Sequence, residues 1–371
     1  MDDLIELGAL SDSARRVLDE HQNRQQLLKD PAWLAQSDQL LYRTSAELGW
    51  LGLCVAEKAG GLGQPFNALG ALYVELGRAL AGPSIVATTV GLELLSAAYA
   101  DPDVTDLIEA IIAGDQRALA LVGGTVVVKA QRQGARVVLK GVARDILGGA
   151  HATHLLIPIE APNPAVAMVR ADHPGVVIEA RKAWDQTRGE VFDVSFEHLE
   201  LPLSSLVLQG AEASQALARA AAHFDFALAC DALGGSEQIL NETLAYMQTR
   251  TQFGRAIASF QALKHRCADM ATEIEVARAL LTSACRSTDD AHAWRTQAAA
   301  CRLHTGAVYR RVTEDALQLH GGIGFTWEQS CHLFLKRARL NDALGGTPEQ
   351  RKDLVAPRIL AAAARRTAHQ G

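Results

Sequence analysis

The chain has 371 residues, 49% apolar and 21% charged, with a net charge of −6. That length suits two or three domains and buries enough apolar surface to need no covalent staples. The negative balance excludes a protein bound as a whole to nucleic acid by phosphate neutralisation. No apolar run reaches the ~20 residues that cross a bilayer.

The chain opens on MDDLIELGALSD, which is acidic and lacks the basic-then-apolar order of a signal peptide. A cytoplasmic protein is expected, with neither nucleic acid nor membrane as a partner. Leu4, Leu7, Leu10, Ala14, Val17 and Leu18 recur at helical spacing. A second helical stretch runs from Arg43 into an apolar turn, and the Gly-rich segment 56–65 must be a loop. Ala68–Leu80 and Val90–Ala98 return to a helical period.

Between about 116 and 205 the texture changes. ALALVGG, TVVVKAQ, ARVVLKG, THLLIPI, AVAMVRA and GVVIEA are short β-branched runs bounded by Gly, Pro, Asn and Asp. They read as strands of an antiparallel sheet or barrel, and Phe192–Phe196 alternates like a half-buried strand. From about 206 long helices follow: 211–248, 261–285, 293–319 and Leu354–Arg366. The expected fold is α+β, mainly helical, with a helical domain over 1–115, a β domain over 116–205 and a helical domain over 206–371. The six cysteines are scattered with no CxxC pair, so reduced and mostly buried thiols are expected rather than a metal site or disulfide frame.

Four segments could carry chemistry. In Tyr246–Gly254 a helix pattern ends at Gly254, a new one starts after Ser259 as N-cap, and Arg250 stands at the helix end. Arg250 answers either the helix dipole or a pyrophosphate, for which its forked donors are suited. Phe253 offers an aromatic surface, and Gln252 and Gln261 offer amides. In Gln318-Leu319-His320-Gly321-Gly322-Ile-Gly324, the bare glycines serve an inter-helix turn or a close approach to a ligand. The loop Ala56–Gly63 and the segment Trp184–Arg188 each read as turn chemistry alone.

Together and in this order, the four resemble the acyl-CoA dehydrogenase family along nearly the whole chain. RTQFG…FQALKHRCADM and QLHGGIGFTWE look like its two C-terminal signatures, LGLCVAEKAGGLG like its N-terminal loop, and DQTRGEVFDVSFEHLELP like the exit from its middle domain. The resemblance implies an N-terminal helical domain, a middle β domain, a C-terminal four-helix bundle and a tetramer with FAD between subunits. It implies that Arg250, Gln252, Phe253, Phe260, Gln261, Gln318, Leu319, His320, Gly321 and Gly322 grip the ADP half of a flavin whose ring lies in a neighbour. The implied reaction is α,β-dehydrogenation of an acyl-CoA, with a Glu as base and electron-transferring flavoprotein as acceptor.

The chain departs from the family pattern in two places. The usual base position falls on Gly345 and the alternative one on Phe224, with Asp225 one residue off and Asp231 further along. The family's Thr-Glu-Pro and Gly-Ser-Asp segment is missing where Val122-Gly123-Gly124 runs straight into Thr125. The expectation is a base-lacking subunit that completes the FAD site of a paralogous subunit in an α2β2 heterotetramer, with steroid or cyclic acyl-CoA as substrate class. The rival readings are a self-sufficient dehydrogenase using Asp225, a flavin monooxygenase of the same fold, and a flavin-free scaffold subunit.

Overall fold

The structure, a computed structural model, describes residues 2–30, 32–159, 163–185, 187–285, 288 and 290–368. The N-terminal helices are α1 (Asp2–His21), α2 (Arg24–Lys29), α3 (Trp33–Glu47), α4 (Phe66–Ala79), α5 (Ser84–Ser96) and α6 (Pro102–Ile112). Local chemistry sets several ends. Asn23 caps α2 by accepting from the Gln26 N–H, and Asp101 caps α6 ahead of Pro102 at its first position.

The strands β1 (Ala118–Ala120), β2 (Thr125–Gln133), β3 (Arg136–Leu147), β4 (His154–Ile159), β5 (Ala165–Arg170), β6 (Val177–Lys182), β7 (Glu190–Pro202) and β8 (Leu206–Gln209) follow. They form two four-stranded sheets, ordered β1-β4-β5-β8 and β2-β3-β7-β6. The domain is antiparallel as expected, with one short parallel pairing, of β1 with β4. The period of two decides what each face meets. Leu155, Ile157 and Ile159 of β4 pack into a core between the sheets with Leu139, Val194 and Phe196, whereas Leu156 joins the helical core. The first sheet is therefore sandwiched between the second sheet and helices.

The C-terminal helices are α7 (Gly210–Thr249), α8 (Gln261–Ala284), α9 (Ala291–His320), α10 (Cys331–Ala343) and α11 (Pro348–Ala368), with the short strands β9 (Thr251–Gln252) and β10 (Arg255–Ala256) between α7 and α8. Helix α7 is buried along much of its length because it serves both layers. Its Phe226 packs against Phe66 of α4 and Trp294 of α9, with ring centroids 5.3 Å and 5.1 Å away. Cys230, Cys267, Cys301 and Cys331 are buried free thiols, and Cys54 and Cys285 are half-buried. Among the described residues no helix is long and apolar enough to cross a membrane, and no cluster of His, Cys, Asp and Glu could hold a metal.

Candidate functional site

Helix α7 stops at Thr249, where Arg250 turns extended as its cap. The expected stop at Gly254 is too late: the chain first makes the β9–β10 hairpin, with Phe253-Gly254 at its tip. Both tip residues have positive φ, 55° and 76°, which suits the twist of a two-residue hairpin. Glycine adopts this freely, whereas phenylalanine does so against its preference. Nor does Ser259 cap α8. It ends a short 3-10 turn and donates to the Ala256 carbonyl at 2.7 Å, and Phe260 precedes the helix. Phe253 is 90% exposed, its ring edge-on to Phe260 at 6.1 Å, and the Arg255 guanidinium lies 4.1 Å over Phe260. The hairpin thus holds a large apolar ring out in water on a braced, strained turn, an arrangement typical of a contact site.

The second signature lies alongside. Helix α9 ends at His320, and Gly321–Phe325 form a 3-10 turn. The Tyr246 ring, one turn before Arg250, stacks on His320 with centroids 4.4 Å apart, and its hydroxyl donates to the His320 carbonyl at 3.4 Å. The two segments therefore meet at one end of the helical bundle. Arg250, Gln252, Gln261, Gln318, Gly321 and Gly322 are all exposed. A Cβ added at Gly321 or Gly322 would meet nothing within 4 Å. Arg250 enters no ion pair among the described residues. Leu319 and His320 differ from their expected place: both are buried, and His320 Nδ1 lies 2.8 Å from the Ala316 carbonyl. Their side chains serve the core, so only their backbone is left to meet a ligand. A free guanidinium and the open backbone of two glycines, beside an exposed ring, fit the diphosphate half of a dinucleotide.

The opposite half is different. At the end of β1, the Gly123 carbonyl accepts from the Gly345 N–H at 2.5 Å. A Cβ at Gly123 would come within 2.4 Å of the Phe224 ring, and one at Gly345 within 3.3 Å of the same ring. Phe224 is buried and packs onto both glycines. The two positions where the resemblance places a base, 224 and 345, thus face each other across a filled contact. Arg351 locks the turn by donating to the Leu344 carbonyl at 2.6 Å, to the Gly346 carbonyl at 3.0 Å, and to Asp225 at 3.2 Å. Asp225 is neither solvated nor a helix cap. It is buried between Arg295 and Arg351, and both its oxygens are engaged. The residues on this side do not fit a flavin ring beside a free carboxylate base.

Placing a carboxylate at this position by Gly345→Glu will therefore yield no turnover. Gly345 has φ 70°, and its new Cβ would sit 2.8 Å from Arg351 Nη2. A stability loss of about 1–2 kcal/mol is expected from the left-handed backbone alone. Urea unfolding measures the loss, and an acyl-CoA oxidation assay of the variant alone tests for turnover.

Two buried polar clusters escaped the sequence reading. Glu93 of α5 accepts from Arg219 Nε at 2.7 Å and lies 3.6 Å from His223 Nδ1, while His223 Nε2 is 2.6 Å from the Tyr73 hydroxyl. Burial alone would raise the Glu93 carboxyl, but His223 and Arg219 hold it down, to about 2. A carboxylate with a depressed folded pKa stabilises fully above its unfolded value and stops doing so as pH falls through the folded one. Against an ordinary 4.5 this contributes about 3 kcal/mol, lost between roughly pH 4.5 and 2. Urea midpoints taken at falling pH should drop more steeply for the native chain than for Glu93→Gln. Parallel slopes would refute the assignment.

The second cluster centres on Asp231 of α7. It accepts from Arg337 Nη2 at 2.5 Å and Nε at 3.2 Å and from Asn341 Nδ2 at 2.7 Å, and it pairs with Arg188 Nη2 at 3.1 Å. Arg337 also donates to the Ala81 carbonyl at 2.8 Å and to Thr187. This node joins all three layers. No spacing in the sequence announces it, because its members lie as much as 256 residues apart.

The family model for the acyl-CoA dehydrogenase N-terminal domain matches residues 6–101, and that for the C-terminal domain matches residues 211–360. The chain is 32% identical over 308 residues to acyl-CoA dehydrogenase FadE34 of Mycobacterium tuberculosis, covering 81% of this chain and 40% of that protein. It is 41% identical over 123 residues to acyl-CoA dehydrogenase IpdE2 of the same organism, 33% of this chain and 37% of that one. The matches thus span about two fifths of these relatives' own length. Among solved structures, the Tcur3481-Tcur3483 steroid ACAD in its G363A variant superposes with a TM-score of 0.84 at 25% identity, over 97% of this chain and 99% of that one. The ChsE4-ChsE5 complex from Mycobacterium tuberculosis superposes at 0.79 and 24% identity, over 96% and 97%, a likeness of fold.

Proposed function

The chain belongs to the acyl-CoA dehydrogenase family, and from that premise we propose that it acts in FAD-dependent α,β-dehydrogenation of a CoA thioester as the subunit without a base. In this reading it pairs with a paralogous subunit in an α2β2 tetramer and completes that partner's flavin site. The observation that carries it is the contrast between the two halves. The Arg250–Phe253 hairpin and the Gly321-Gly322 turn stand open, while Phe224 fills the contact between Gly123 and Gly345.

When bound, the flavin supplies the hydride acceptor. This chain's part is to bind and orient. Arg250 neutralises diphosphate charge, the bare backbone at Gly321 and Gly322 admits close approach, and Phe253 presents an apolar face. The α-proton is taken by a carboxylate of the partner. The steroid ACAD similar in structure to this chain favours a steroid or other cyclic acyl-CoA as substrate class. Electron-transferring flavoprotein is the proposed acceptor.

Expression alone and together with a paralogue that carries both the Thr-Glu-Pro segment and the Glu tests the reading. Flavin and acyl-CoA oxidation are expected in the co-purified complex and not in the chain alone. Stoichiometric flavin with turnover in the chain alone would overturn it.

A further inference from the structure

Phosphate recognition on the hairpin face needs cations that no carboxylate of the chain already answers. Between Glu242 and Asp269 the chain has no acidic residue, although its net charge is −6. That stretch holds the end of α7, the β9–β10 hairpin and the start of α8. Its cations at neutral pH are Arg250, Arg255, Lys264 and Arg266. Arg266 is spent on Asp315 of α9 at 3.3 Å, and the neighbouring Glu314 is held by Arg339 at 2.5 Å. Arg255, like Arg250, is exposed and enters no ion pair among the described residues.

The hairpin register brings the two free arginines to one face. Arg255 pairs with Gln252. Arg250 is itself extended, and its carbonyl accepts from the Ile257 N–H at 2.8 Å, which carries the ladder one step further. With a period of two, Arg250, Gln252 and Arg255 share a face, and Thr251 and Ala256 take the other. Arg250 and Arg255 are diagonal neighbours across the strands, a backbone separation of about 7–8 Å that long side chains bridge.

Arg255 is also held in place. Its guanidinium lies 4.1 Å over the Phe260 ring, and Phe260 in turn packs against the helical core. Contact through the flat face of a guanidinium leaves its in-plane N–H donors for an acceptor. A cation braced in this way loses less freedom on binding than one on an unsupported stem.

We infer that Arg255 is a second phosphate-binding residue of this face, and that Arg250 and Arg255 together form a clamp for a diphosphate. The inference rests on the reading above, in which this chain holds the ADP half of a flavin, and adds to it a residue and a selectivity. One guanidinium suffices for a single phosphate. Two on one face reward a ligand with two phosphates, so the clamp favours a nucleoside diphosphate over the monophosphate.

Calorimetric titration of the full chain with ADP and with AMP tests the clamp. The native chain is expected to bind ADP about tenfold or more tightly than AMP, the scale of one charge-assisted contact. Arg255→Ala should remove that preference, weakening ADP about tenfold and AMP by less than about threefold. Arg255→Lys should restore part of it, since the charge returns without the fork. Lys29→Ala, which removes an exposed cation from α2, should leave the preference unchanged. An ADP preference that survives Arg255→Ala, equal losses in Arg255→Ala and Lys29→Ala, or no ADP binding by the native chain would each overturn the clamp. None of these outcomes touches the heterotetramer reading, which stands or falls on flavin and turnover in the co-purified complex.

Discussion

Asp231→Ala will lower the stability of the chain by about 3–5 kcal/mol, the range for removing one partner of a buried ion network. Burial works against the Asp231 charge, but Arg188 and Arg337 hold its carboxyl far below the usual carboxylate range. Arg188 is pushed down to about 10 by burial and by Arg337 beside it, which leaves it charged at neutral pH. Without Asp231, two guanidinium groups and Asn341 would face one another in a site closed to water. The loss is larger than for a surface pair because no solvent enters to replace the carboxylate. Because the node ties the Ala81 carbonyl, Thr187 and α10 to one atom group, the loss should spread over all three domains. Unfolding followed by tryptophan fluorescence, with Trp50 reporting on the N-terminal layer and Trp294 on the bundle, should show both probes shifting together. A shift under about 1 kcal/mol, the scale of exposed pairs, would show that the node is not a joint. Asp231→Asn should recover part of the loss by keeping the hydrogen bonds from Arg337.

In the proposed complex with a paralogue, Arg250→Ala is expected to reduce flavin retention by about 10- to 100-fold, the equivalent of one lost charge-assisted interaction of ~1.5–3 kcal/mol. The exposed arginine is in no ion pair among the described residues, so its truncation should leave the melting temperature of the isolated chain unchanged. That contrast separates a ligand contact from a structural cap. Equilibrium dialysis of the complex measures flavin retention, and thermal unfolding of the isolated chain serves as the control. Loss of stability with flavin retained would return Arg250 to the role of answering the α7 dipole. Arg250→Lys should recover only part of the affinity, since an ammonium lacks the planar fork that meets a diphosphate in two places.

The order of helices, strands and helices was legible because each segment shows its own period over many residues. Phe192–Phe196 alternates and lies in β7, and the spaced Cys267, Met270, Ile274, Ala277 and Leu281 form the buried stripe of α8. The hairpin after α7 was not legible. Glycine at 254 marks a break but does not say whether a helix ends there or a turn tightens there, and the true stop at Thr249 depends on the chain being pulled back toward Phe260. The parallel pairing of β1 was hidden for a related reason, since a three-residue strand carries no pattern that fixes its direction.

Residue types and their spacing determined the fold class, the family resemblance and the absence of a carboxylate at 345, because these depend on identity alone. Tertiary structure alone decided which of those residues can meet a ligand. His320 and Leu319 lie between exposed neighbours in sequence yet point into the core, and Asp225 is consumed by arginines from α9 and α11. Burial and charge pairing arise from distant segments brought together, so a side chain's freedom to act is a property of its surroundings and not of its position in the chain.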